Sequence, residues 1–232
     1  MKKLLQSIGV WGDSLLQGVV LDEKQGRYSI IEDNCAVTLA KRIGITIRNN
    51  SRFGCTAPKG FKSLNRALES DVDFSAVLIE FGGNDCDFKW EEVAAAPDSE
   101  HIPRTTLDEF TACYTGMISA LKAKKITPVL VTLPPLDAER YFDWITRGGL
   151  SRENILHWLG DVQHIYRWHE RYNNAVTAMA RKLSCNLIDV RDAFLSVKDY
   201  QKYLCADGIH PNHDGHKLME RVFFEYAEQY VH

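Results

Sequence analysis

Ser14 and His210 stand at opposite ends of the chain, yet their neighbours equip them to work as one nucleophile. A serine hydroxyl attacks a carbonyl only when a base takes its proton, and the base needs an acceptor that fixes its tautomer. Ser14 lies in Gly12-Asp13-Ser14-Leu15, after an apolar run. The base and its acceptor come from Asp207-Gly208-Ile209-His210-Pro211-Asn212. Asp207 sits three residues before His210, close enough to accept the Nδ1 hydrogen and leave Nε2 facing serine. Pro211 steers His210 away from helical angles. Two further groups suit a developing oxyanion: Gly54, whose bare backbone can approach closely, and Asn84, whose side-chain amide donates without titrating. Together these residues are suited to hydrolysis of a carboxylic ester through an acyl-serine.

Each residue also has an ordinary structural use. Asp13-Ser14 is a helix N-cap type, Gly54 is a turn glycine, and Gly82-Gly83-Asn84-Asp85 is rich in turn formers. A cap, however, brings no distant Asp-x-x-His with it. His213 and His216 compete for the role of base, but neither has an aspartate at the same upstream spacing. The six cysteines form no C-x-x-C pair and no zinc-ligand spacing, so they read as free thiols, with Cys55, Cys86 and Cys205 near the motif residues.

The elements that must carry these groups are legible as an alternation. Strand-like runs occur at Leu4–Trp11, Thr46–Asn50, Ala76–Phe81, Thr127–Leu133 and Asn186–Val190. Helical patterns separate them at Ile31–Ile43, Gly60–Glu69, Thr106–Lys124 and a segment ending near Leu183, and a last helix runs from about Asp214 to Tyr230. Such alternation predicts a parallel sheet covered on both faces, with ligands at the carboxyl ends of the strands. Ser14, Gly54 and Asn84 follow the first, second and third strands, so three distant motifs converge on one edge. The chain reads as a single domain over 1–232 with an aromatic-rich insertion at about 136–168. Tyr141 and Trp144, soonest after the fourth strand, are expected to bind substrate, and Trp168 is expected to join the core. The competing use of these aromatics is internal packing or a homo-oligomer contact.

The four segments, in this order, resemble the GDSL-type esterases and lipases of the SGNH hydrolase superfamily: Gly-Asp-Ser-Leu, a glycine, Gly-x-Asn-Asp and Asp-x-x-His-Pro. The resemblance spans residues 9–215. It implies a three-layer α/β/α fold with a flavodoxin-like five-stranded parallel sheet. It also implies Ser14 as nucleophile and, through its amide, as an oxyanion donor beside Gly54 and Asn84, with His210 as base oriented by Asp207. No cofactor or metal is required. Members cleave short-chain esters, acetyl groups on sugars, thioesters and lysophospholipids, so the substrate is left open. A short acyl or acetyl ester is preferred here, with an acyl-CoA thioesterase or lysophospholipase as alternative.

Composition excludes other classes. A net charge of -3 and 45% hydrophobic residues over 232 positions describe a globular chain without the basic footprint of a nucleic-acid binder. The longest apolar runs are strand-sized, which argues against stable membrane insertion. Met1-Lys2-Lys3-Leu4-Leu5 opens like a secretory signal, but no apolar stretch of adequate length follows, and cleavage would remove the strand before Ser14. The expectation is a cytoplasmic enzyme acting on a small-molecule ester. A non-catalytic carbohydrate- or acyl-binding module is the alternative from another class. A phosphate-binding protein is disfavoured, because the first loop lacks the required glycines.

Overall fold

The computed structural model describes residues 7–70 and 72–231. Its strands are β1 (Ser7–Gly12), β2 (Val19–Asp22), β3 (Arg27–Ile30), β4 (Thr46–Asn49), β5 (Ala76–Glu80), β6 (Thr127–Val131) and β7 (Asn186–Ile188). Five of them pair in the order β4-β1-β5-β6-β7, every pair parallel. The parallel pairing is what the alternating pattern predicts, and the five-stranded flavodoxin-like order is what the family resemblance implies. The first strand begins at Ser7; the expected start at Leu4 lies outside the described residues.

Ten α-helices are described: α1 (Ser14–Gln17), α2 (Cys35–Ile43), α3 (Ala57–Leu68), α4 (Trp90–Ala95), α5 (Leu107–Ala123), α6 (Ala138–Thr146), α7 (Arg152–Leu159), α8 (His164–Lys182), α9 (Val190–Leu195) and α10 (His213–Val231). Local chemistry sets several ends. Asn34 accepts from the amides of Ala36 and Val37 to start α2, and Gly44 closes it in the left-handed conformation. Thr106 caps α5 through the Glu109 amide, and Pro58 sits in the first turn of α3, where its missing N–H costs nothing.

Strand side chains alternate between two cores, as a period of two requires. Ile8, Val10, Leu78, Val129 and Val131 face one side and pack with residues of α2, α9 and α10. Trp11, Val77, Ile79 and Leu130 face the other and pack with α3, α5 and α8. Burying both faces gives the three-layer α/β/α arrangement.

Two features depart from the sequence reading. The segment after Gly18, unassigned above, is an antiparallel hairpin of β2 and β3 that stands outside the main sheet. The insertion at 136–168 does not stand alone: α4, in the connection after β5, packs on α7 in a third apolar cluster containing Phe88, Trp90, Val93, Phe142, Ile155 and Ile165. Asn154 Nδ2 donates to the Ala94 carbonyl at 2.7 Å, tying the two together. Among the described residues no helix is long and apolar enough to cross a membrane.

Candidate active site

β1 ends at Gly12, and the chain turns at once into α1. Asp13 rather than Ser14 caps that helix, accepting the Leu15 amide at 2.9 Å. Ser14 is therefore the first helical residue, and its hydroxyl is free to turn outward. Its Oγ lies 2.9 Å from His210 Nε2. Across the ring, His210 Nδ1 lies 2.7 Å from Asp207 Oδ2. The other carboxylate oxygen accepts the amides of Ile209 and His210 at 3.0 and 3.1 Å, so the whole acceptor is held by its own loop.

All three groups are buried. Burial alone would raise Asp207, but the hydrogen bond and charge of His210 and the two loop amides hold it below its ordinary range. It is thus a carboxylate, competent to orient an imidazole and to stabilise an imidazolium. His210 gains its place from a two-residue bridge rather than from a helix: Cys205 N donates to the His210 carbonyl at 2.7 Å, and Leu204 pairs antiparallel with Pro211. Gly208, at φ +74, makes the turn and passes its carbonyl to the Asp137 amide at 2.8 Å. The rival histidines stand elsewhere. His213 is exposed at the start of α10, and His216 is buried with its protonation pushed down to about 4 by that burial.

Asn84 follows β5 and borders the same cavity as Ser14. One hydrogen of its Nδ2 goes to Asp13 Oδ2 at 2.9 Å, which leaves the second for a ligand oxygen. Asp85, expected only to form a turn, reaches across and accepts the Ala57 amide at 2.9 Å, anchoring the start of α3. Gly54 is placed differently. It has φ +67 and borders a smaller adjoining cavity with Trp11, Gly12 and Phe81; Phe53 beside it lines both.

Beneath the nucleophile lies a feature no motif announced. Glu80, the last residue of β5, is fully buried, and its carboxyl meets the Asp13 side chain, so a proton on Glu80 can be donated to Asp13. Burial and then the neighbouring Asp13 charge push it well above the usual carboxylate range, so it holds a proton. Asp13 is also raised by burial, against the opposing pull of the Leu15 amide, His210 and Asn84. A single acidic residue ending a hydrophobic strand, Val77-Leu78-Ile79-Glu80, was the available signal.

The cavity, about 530 Å³, opens at the carboxyl ends of β1, β5 and β6. Tyr141 and Trp144 both line it. The Tyr141 hydroxyl is already committed, donating to Asp87 Oδ1 at 2.7 Å, so it offers substrate only its ring. Asp87 also takes Trp90 Nε1 at 2.8 Å and Arg104 Nε at 3.3 Å. Trp168 also lines this wall while packing against Phe88 and Tyr172, so it is more than the core residue the sequence suggested. Trp158 does not line it and packs among Phe88, Trp90 and His101. Two rings missed by motif reading flank the base. Tyr28 of β3 lies 4.9 Å from the His210 ring, and Phe53 stacks on it at 6.1 Å and 7°. Of the cysteines near the motifs, Cys86 lines the main cavity, Cys55 the smaller one, and buried Cys205 accepts the Leu21 amide.

A model of the GDSL-like lipase/acylhydrolase family matches residues 10–218. A curated relative, the GDSL esterase/lipase WDL1 of Oryza sativa subsp. japonica, is 22% identical over 153 residues, covering 65% of this chain. The chain spans about half that relative's length, 52%. The lipase/acylhydrolase from Enterococcus faecalis superposes with a TM-score of 0.66 at 19% identity, over 97% of this chain and 96% of that one. Est24, a carbohydrate acetylesterase from Sinorhizobium meliloti, gives 0.64 at 16% identity over 97% of both chains.

Proposed function

Because the chain belongs to the GDSL-like lipase/acylhydrolase family, we propose that it hydrolyses carboxylic esters through an acyl-serine at Ser14. The observation that carries this reading is the relay from Ser14 Oγ through His210 to Asp207, at 2.9 and 2.7 Å, on the border of an open cavity. His210 Nε2 takes the hydroxyl proton as Oγ attacks the ester carbonyl, and Asp207 stabilises the imidazolium. The oxyanion is assigned to the amides of Ser14 and Gly54 and to Asn84 Nδ2, of which Ser14 and Asn84 border the cavity. Collapse expels the alcohol, which takes the proton from His210. Water, deprotonated by the same ring, then cleaves the acyl-serine and restores the hydroxyl.

The preferred substrate is a short acyl ester, and acetyl on a carbohydrate suits walls that mix aromatic rings with polar groups. That is also the chemistry named for the Sinorhizobium relative. Apolar wall residues Leu136, Ile145, Leu150, Leu159 and Ile165 favour one second reading, an acyl-chain substrate such as a thioester or lysophospholipid. A series of 4-nitrophenyl esters from acetate to decanoate separates the two by its chain-length optimum. Ser14→Ala should abolish turnover of all of them, and a fluorophosphonate probe should label Ser14 in the unmodified protein alone. Labelling at a cysteine, or full activity in the variant, would remove the assignment.

A further inference from the structure

The inward stripe of α8 runs Ile165, Trp168, His169 and Tyr172, the i, i+3, i+4, i+7 spacing of a core-facing helix. A histidine in such a stripe usually has its ring nitrogens bonded, because a buried polar atom left alone loses its hydrogen bonds to water without replacement. Three polar neighbours of His169 on this helix are bonded. Tyr166 accepts from Arg191 Nη2 at 2.7 Å, Glu170 pairs with the same guanidinium, and Asn173 Oδ1 accepts the Leu133 amide at 3.1 Å. His169 differs from these three. It is 5% exposed, its Nδ1 has no partner among the described residues, and it lines the cavity that holds Ser14. Next to it in sequence Trp168, also on the cavity wall, has an Nε1 hydrogen with no partner among the described residues.

We propose that Trp168 and His169 form a subsite that reads a hydroxyl group on the substrate, the ligand class being a sugar ring or similar polyol carried by the ester. A hydroxyl both accepts and donates, which matches an indole N–H beside a neutral imidazole with one donor and one acceptor nitrogen. Burial, and then the Arg191 charge, push His169 down to about 3, so the ring stays neutral at working pH and the subsite does not select an anion. The walls around it fit a ring that is apolar on its faces and polar at its edge: Trp90, Tyr141 and Trp168 supply aromatic surface. This proposal rests on the ester reading above and narrows its substrate.

Two ring-matched acetates test it: monoacetylated methyl xylopyranoside, which carries hydroxyls, and cyclohexyl acetate, which carries none. The unmodified protein should prefer the sugar acetate in kcat/KM. His169→Phe should cut that ratio on the order of tenfold, and His169→Gln should restore part of it. Trp168→Phe, which keeps a ring and removes only the N–H, should lower the same ratio and serves if His169→Phe does not fold. Unchanged ratios in the folded variants, or no preference in the unmodified protein, would overturn the proposal. A parallel binding arm needs no turnover: methyl xylopyranoside titrated against tryptophan fluorescence. Binding that weakens in the variants without any acetate hydrolysis would defeat the ester reading and keep the subsite. Absent binding, or binding that the variants leave unchanged, would defeat the subsite itself.

Discussion

Gly208 is the residue on which the geometry of the relay turns, and Gly208→Ala measures how tightly that geometry is held. Its φ of +74 is a conformation that an alanine adopts at a cost of about 1–2 kcal/mol. The new Cβ would lie 2.6 Å from the Asp137 carbonyl oxygen, 2.8 Å from Arg140 Cβ and 2.9 Å from the Tyr141 amide nitrogen. Ordinary contact begins at 3.4 Å, so the turn and the start of α6 must separate by about 0.8 Å. Two of the three obstacles are backbone atoms of a helix and cannot swing aside. The displaced turn carries Asp207 on one side and His210 on the other. A misplacement of about 1 Å in a reacting constellation costs on the order of 10² in rate. The expected variant therefore loses about a hundredfold in kcat on 4-nitrophenyl acetate, labels slowly with fluorophosphonate, and melts a few degrees lower. Gly26→Ala supplies the control: its φ is +61, but nothing lies within 4 Å of the added methyl. It should show the thermal shift and leave kcat unaltered. If Gly208→Ala kept kcat within about twofold of the unmodified protein, the turn would be pliable and the reasoning wrong.

Asn84→Ala should lower kcat by on the order of 10²–10³ with little change in KM, since the oxyanion exists only after attack; steady-state kinetics showing a raised KM and unaltered kcat would make Asn84 a substrate contact instead. Glu80→Gln should gain stability relative to the unmodified protein as pH rises. Below the ordinary carboxylate range, folded and unfolded chains both hold the Glu80 proton. Above it only the folded chain does, which favours unfolding by about 1.4 kcal/mol per pH unit until the folded carboxyl ionises. Urea melts at pH 5 and pH 8 check this, and a midpoint difference independent of pH would mean that Glu80 ionises freely. Trp144→Ala, on the cavity wall, should reorder the ester chain-length preference, whereas Trp158→Ala, packed among Phe88 and Trp90, should lower the melting temperature and keep the order. The same ester series and thermal melts on both variants test the pair, and an unaltered profile in Trp144→Ala would strip that residue of a specificity role.

Sequence alone determined the layered architecture and the edge at which function gathers. Strand runs at Ala76–Phe81 and Thr127–Leu133 carry consecutive apolar residues, Val77-Leu78-Ile79 and Val129-Leu130-Val131, because both sheet faces are covered, and a buried parallel strand leaves that mark wherever it occurs. Ser14, Asn84, Asp207 and His210 were legible for a related reason: each follows a strand or precedes the last helix, and each stands among glycine, proline or aspartate, whose local chemistry shows in the sequence. Tertiary structure decided what depends on contacts between distant segments. That Glu80 keeps a proton follows from burial beside Asp13, which β5 and β1 create by pairing. That Tyr28 and Phe53 flank the base, and that α4 and α7 close one wall, depends on side-chain packing with no period or spacing of its own. The unpartnered Nδ1 of His169 is the clearest case. In sequence His169 is one more residue on the inward stripe of a helix, and only the fold shows that nothing among the described residues satisfies that nitrogen.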